Sequence, residues 1–139
     1  MIETLAFYAS AFRRDFSLFC NEKLKEMGLS EGLLFFIIYI GKHPKCAPGE
    51  LAQNIHQDSG YTTRTIEKLV QGGFVIREKS QEDKRSYELF LTEKGQALFR
   101  RSYELFTEWD EKALKNISAE DKKHLFRILK EVLKDKEIN

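Results

Sequence analysis

The side chains whose types and spacing could do chemistry suit gripping a polyanion better than making or breaking bonds. Ser59, Gly60, Tyr61, Thr63, Arg64, Glu67 and Lys68 fall close together. At helical spacing they lie away from Ile66, Leu69 and Val70. Arg64 can grip a guanine with two parallel donors, worth about 1–3 kcal/mol of discrimination in good geometry. Ser59 and Thr63 suit phosphate oxygens. Tyr61 suits a phosphate or a thymine methyl, and Gly60 lets a backbone approach closely. A second cationic group follows: Lys79, then the polar run Ser80-Gln81-Glu82-Asp83-Lys84-Arg85. The bland alternative for both groups is a solvated surface.

Other reactive side chains form no pattern that supports catalysis. The three histidines stand outside any motif, and no Gly-rich phosphate loop, nucleophile elbow or triad spacing occurs. The chain therefore reads as a non-enzyme without a cofactor. His43 and Cys46 could open a zinc site, but no second ligand pair follows at suitable spacing. They read as an exposed turn. Cys20 lies beside Phe16 and Phe19 with no assignable cationic partner, so it reads as a small buried apolar residue rather than a thiol sensor.

Periodicity supplies the elements that must hold these groups. Ile2, Leu5, Ala9, Phe12, Phe16 and Phe19 recur at threes and fours, predicting a helix over 2–27 capped by Gly28. Its second stripe, Phe7, Ala11 and Leu18, calls for a second neighbour. Ser30 opens an apolar central helix over 31–40, which Gly41 and Pro44 stop. Pro48 starts a short helix over 49–55, and Asp58 caps another over 59–71, closed by Gly72-Gly73. Such a closely joined pair has helix-turn-helix spacing. The period then changes. Phe74–Arg77 and Tyr87–Leu91 read as strands of a hairpin with the charged run at its tip, a wing. Thr92 caps a helix over 93–115, and Ser118 opens the last, over about 119–135. The expected fold is mainly α with a small antiparallel hairpin: one winged helix-turn-helix core at about 30–95, flanked by dimerisation helices at about 2–27 and 96–135.

Composition narrows the classes. With 139 residues, 42% hydrophobic, the chain fits one domain, and 8 Gly plus 2 Pro mean few loops. A net charge of +1 excludes a polybasic coat or membrane binder but permits a locally arranged DNA surface. Residues 58–95 hold seven Lys/Arg and seven Asp/Glu, a balance that also suits a winged-helix protein-interaction module that does not touch DNA. The apolar run Leu33–Ile40 is far shorter than the ~20 residues that span a bilayer. With two cysteines and no leader pattern at the N-terminus, a cytoplasmic location is expected.

Glu50-Leu51-Ala52, Thr63-Arg64, Leu69 and Gly73-Phe74-Val75 resemble the MarR family of regulators. Asp83-Lys84-Arg85, Leu91-Thr92 and Gly95 reproduce that family's DxRxxxxxLTxxG wing pattern without a gap. His56 stands where many members have glycine, and Gln57 where an apolar residue is usual. The resemblance implies a homodimeric regulator of transcription. Members bind palindromic operators on double-stranded DNA, often as repressors, and many are released by a small ligand or by oxidation; some relatives sense zinc. It implies that Arg85 enters the minor groove and that Asp83 holds the wing. It also implies an effector pocket where the first two helices meet the winged domain. Phe12, Phe16, Phe35, Phe36 and Tyr39 are its candidate lining here, suited to an aromatic or lipophilic ligand, an anionic one if Arg13 or Arg14 faces it. A Phe-rich core is the alternative reading of that cluster.

Overall fold

In a computed structural model, residues 3–136 are described. They form α1 (Leu5–Leu24), a 3-10 turn (Lys25–Met27), α2 (Glu31–Lys42), α3 (Pro48–Asn54), α4 (Ser59–Gln71), β1 (Val75–Lys79), β2 (Tyr87–Leu91), α5 (Glu93–Ala113) and α6 (Ala119–Leu133). The expected order is observed, and the boundaries differ for identifiable reasons. Thr4, not Ile2, sets the start of α1: its side chain accepts from the Phe7 N–H at 3.1 Å. Ile2 lies outside the described residues. The last expected turn of α1 tightens to 3-10 before Gly28, which adopts the left-handed conformation at φ 70°.

α2 departs from expectation at both ends. Ser30 occupies the cap position, yet its side chain makes no capping hydrogen bond. The Glu31 N–H donates instead to Asn21 Oδ1 of α1 at 2.8 Å. At the other end Gly41 continues the helix instead of stopping it. A Cβ there would fall 1.9 Å from the Phe99 ring, so the glycine lets α2 and α5 approach closely.

α2 is the central element. Leu34, Phe36, Ile37 and Ile40 are buried and share one core with Leu51, Ile66, Leu69, Leu89, Leu98 and Leu105. The hairpin pairs antiparallel from Val75 with Leu91 to Lys79 with Tyr87, so β1 starts one residue later and ends two residues later than expected. Cys46 adds a short bridge to Leu89, its carbonyl accepting from the Leu89 N–H at 3.0 Å. Cys46 is therefore buried within the sheet edge rather than lying on an exposed turn.

The Phe12 and Phe16 rings turn toward α5. Phe12 meets Trp109 edge-on at 6.2 Å, and Phe16 meets Phe106 and Trp109 at 5.2 and 5.4 Å. The Trp109 indole N–H donates to Asp15 Oδ2 at 2.9 Å. Much apolar surface stays uncovered in the single chain. Leu5, Phe12 and Leu18 on α1 are 62%, 57% and 65% exposed. α6 has no buried residue among those described, and Phe126, Ile128, Val132 and Leu133 are exposed on it. No helix among the described residues is long and apolar enough to cross a membrane.

Candidate nucleic-acid interface

The recognition helix α4 is capped as expected, Asp58 Oδ1 accepting from the Tyr61 N–H at 2.7 Å. Its buried face is Thr62, Thr65, Ile66 and Leu69. The two threonines are tolerated inside because each hydroxyl donates to a carbonyl one turn back, Asp58 and Tyr61 respectively, at 2.8 Å. Ser59, Gly60, Thr63, Arg64 and Lys68 are exposed. Gly60 does more than admit a backbone: a Cβ there would sit 3.2 Å from Arg64 Nη1, so the guanidinium lies back across the glycine.

Two residues of this face are engaged elsewhere. Tyr61 leans toward α2, edge-on to Phe36 at 6.1 Å with its hydroxyl beside Gly32. Glu67 pairs with Arg77 of β1 at 3.4 Å, tying the recognition helix to the hairpin. Arg77 also covers the Tyr87 ring at 5.2 Å.

The hairpin tip is held by its own polar groups. Ser80 Oγ accepts from the N–H groups of Glu82 and Asp83, and Asp83 Oδ1 accepts from the Arg85 N–H at 3.0 Å. Asp83 is thus spent on the turn, and Lys79, Lys84 and Arg85 are exposed. Among the described residues Arg64, Lys68, Lys79, Lys84 and Arg85 have no ion-pair partner. The rest of the wing pattern fastens the hairpin to α5. Thr92 Oγ1 accepts from the Gly95 N–H and donates to the Gly73 carbonyl. A Cβ on Gly95 would lie 2.1 Å from the Phe74 carbonyl oxygen.

A cavity of about 420 Å³ opens between α2 and the helix-turn-helix. Phe35, Phe36 and Tyr39 line it, whereas Phe12 and Phe16 do not. Its far wall is His56, Gln57 and Tyr61, so the turn and the recognition helix both border it. His56 is held at φ 57°, the left-handed conformation that glycine adopts without strain. The Tyr39 hydroxyl donates to Glu50 Oε2 at 2.9 Å, and burial with that carboxylate pushes its pKa up to about 12.

Sequence reasoning missed a polar cluster beside this cavity, gathered around the buried Glu31. Arg13 pairs with Glu31, Ser17 Oγ donates to Glu31 Oε2 at 3.0 Å, and Asn21 receives the Glu31 N–H. Arg13, Ser17 and Asn21 repeat every four residues, a polar stripe that is readable in the chain. Nothing in that spacing names a partner eighteen residues away.

Neither cysteine is poised to react. Burial raises the Cys20 thiol to about 11, with the Glu31 charge adding, and raises Cys46 to about 12, with Glu50 adding. His43 stacks on Tyr39 at 4.3 Å. Among the described residues no group of three His, Cys, Asp or Glu is placed to hold a metal ion. Since the thiolate is the nucleophile, both cysteines are expected to resist a thiol reagent at pH 8 in the native protein and to react at once in denaturant. Rapid labelling of the native protein would contradict their assignment as packing residues.

A helix-turn-helix whose second helix carries unpaired cations, followed by a hairpin with a cationic tip, defines a winged helix-turn-helix protein. Known proteins agree. A family model described as MarR family matches residues 29–87. The chain is 47% identical to HTH-type transcriptional regulator BilQ of Clostridium symbiosum (strain WAL-14163), over 99% of this chain and 95% of that one. It is 32% identical to the regulator of the same name from Clostridioides difficile (strain CD3), over 96% and 89%. The crystal structure of the reduced form of MarR from E. coli superposes with TM-score 0.90 at 26% identity, covering 96% of this chain and 98% of that one. A mutant of MarR from E. coli complexed with operator DNA superposes with TM-score 0.76 at 25% identity, covering 93% of each chain. The chain belongs to the MarR family and is a winged helix-turn-helix transcriptional regulator, not an enzyme.

Proposed function

We propose that this regulator acts in the cytoplasm as a homodimeric repressor of a palindromic operator, and that a small aromatic ligand in the α2 cavity releases it. The observation that carries the DNA part is the set of exposed, unpaired cations on α4 and the wing. Arg64 reads base edges in the major groove, with Ser59, Gly60, Thr63 and Lys68 around it, while Lys79, Lys84 and Arg85 grip the backbone and minor groove. Tyr61 contributes more through its lean on α2 than through contact with DNA. Support for two-fold assembly comes from the uncovered apolar faces of α1 and α6, because patches of this kind mark an interface. Interfaces of obligate dimers exceed ~2,000 Å². The cavity supports release because its walls include the turn and the recognition helix.

The test is binding to the protein's own promoter region at several salt concentrations, with the oligomeric state measured alongside. Tight binding of two half-sites by a dimer is expected, with log affinity falling linearly against log salt. A stable monomer at micromolar concentration would sink the dimer. A folded dimer that ignores every promoter fragment would put the protein-interaction module in place of the repressor.

A further inference from the structure

Arg64 has a neighbour of opposite charge at the start of the recognition helix. The point where a Cβ would stand on Gly60 is 3.2 Å from Arg64 Nη1 and 3.3 Å from Asp58 Oδ1. Guanidinium and carboxylate therefore face each other across a bare glycine, close but not joined as a salt bridge. Asp58 Oδ1 is occupied by the Tyr61 N–H, while Oδ2 accepts no hydrogen bond among the described residues. Capping alone does not call for this charge. Among the described residues, α1, α5 and α6 are capped by the neutral side chains Thr4, Thr92 and Ser118, and only α4 has a charged side-chain cap. An acid on a face that meets phosphates also repels them.

We propose that Asp58 is the positioning residue for Arg64: with DNA in the groove, Oδ2 takes one edge of the guanidinium and aims the other at a guanine. This rests on the reading of Arg64 as a base-contacting residue. The donors of a guanidinium lie in one plane, so two can meet guanine O6 and N7 while another meets the carboxylate. Lysine has no such fork. Holding a long, flexible side chain in place beforehand removes part of the cost of ordering it on binding. In open solvent the attraction between the two groups is weak, and it strengthens once DNA displaces the water around them. The same negative charge lowers affinity for every duplex through repulsion of phosphates, so Asp58 gives up affinity for discrimination. Gly60 belongs to the device, because any side chain there would stand between the two groups.

The test measures binding to the operator and to duplexes altered at the base pair where Arg64→Ala relaxes preference. Asp58→Asn keeps a capping oxygen for the Tyr61 N–H but turns an amide donor toward the guanidinium. It should cut discrimination at that base pair by about three- to tenfold, while scrambled DNA binds as tightly or more tightly. Gly60→Ala should likewise cut discrimination, with the melting temperature unchanged or raised, since alanine suits a helix better than glycine. A purely structural role would weaken all duplexes alike and lower the melting temperature. Should Asp58→Asn fold poorly, Asp58→Ser, a neutral cap, repeats the measurement. Added to Arg64→Ala, Asp58→Asn should change discrimination by less than about twofold, because Asp58 acts through Arg64. Full discrimination in Asp58→Asn, or an equal loss when Arg64 is absent, overturns the positioning role and leaves the reading of Arg64 intact. If Arg64→Ala relaxes no base preference, that reading falls and the role of Asp58 falls with it.

Discussion

Alanine at Arg64 is expected to weaken binding to the specific operator by about 1–3 kcal/mol per half-site and to relax the base preference there. Two half-sites change together in a dimer, so the total loss is about 2–6 kcal/mol, the largest effect of any single substitution on DNA binding. The geometry behind the expectation is the exposed guanidinium, which is without an ion-pair partner among the described residues and lies across Gly60. Arg85→Ala should behave differently. Its side chain extends from a turn whose shape Asp83 holds through the backbone, so the substitution removes a charge and leaves the wing standing. Specific and scrambled duplexes should weaken more evenly, and the salt slope should flatten by about one unit for each phosphate that Arg85 neutralises. Titrations of both variants against both duplexes at several salt concentrations decide the matter. Loss of sequence preference with Arg85→Ala alone would reverse the assigned roles.

The second large effect concerns stability. Gly95→Ala is expected to cost about 3 kcal/mol, at the upper end of ordinary overpacking. The new methyl would lie 2.1 Å from the Phe74 carbonyl oxygen and 3.2 Å from Leu91 Cβ. Backbone has to move, and that same carbonyl accepts the Thr92 N–H at 3.0 Å. The substitution therefore loosens the start of α5 and the base of the hairpin together, and thermal unfolding should begin about 10 °C lower. Gly49→Ala is the control. Nothing lies within 4 Å of its Cβ position, and it sits in the first turn of α3, so alanine there should be neutral or slightly stabilising. A Gly95→Ala protein within about half a kcal/mol of wild type would refute the packing argument.

The pattern of helices and hairpin is legible because periodicity and capping are local. Asp58, Thr92 and Ser118 cap the helices they precede, and Pro48 opens α3. Expectation and structure part where a residue answers to a distant neighbour. Gly41 reads as a stop signal, but its lack of a side chain serves Phe99 on α5. Ser30 reads as a cap, but Asn21 performs that task from α1. Cys46 reads as exposed because nothing in its own turn shows that Leu89 bridges to it. The candidate interface divides in the same way. Which residues of α4 are exposed follows from spacing, except that Tyr61 turns to Phe36 and Glu67 to Arg77. The aromatic cluster is the least legible part, since composition cannot say which rings share a space. Phe35, Phe36 and Tyr39 border the cavity, and Phe12 and Phe16 belong to the seam with α5.

That seam has a spectroscopic consequence. Trp109 is the chain's single tryptophan, and its indole is hydrogen-bonded to Asp15 and flanked edge-on by Phe12 and Phe16. Excited at wavelengths that spare tyrosine, the protein emits from one point, between α1 and α5. The DNA-reading half contributes no light of its own at those wavelengths. A change in colour or intensity on adding operator therefore registers altered surroundings at that point, carried there through the fold. Unchanged emission during a titration that demonstrably binds places the motion elsewhere, with no label introduced and no residue altered.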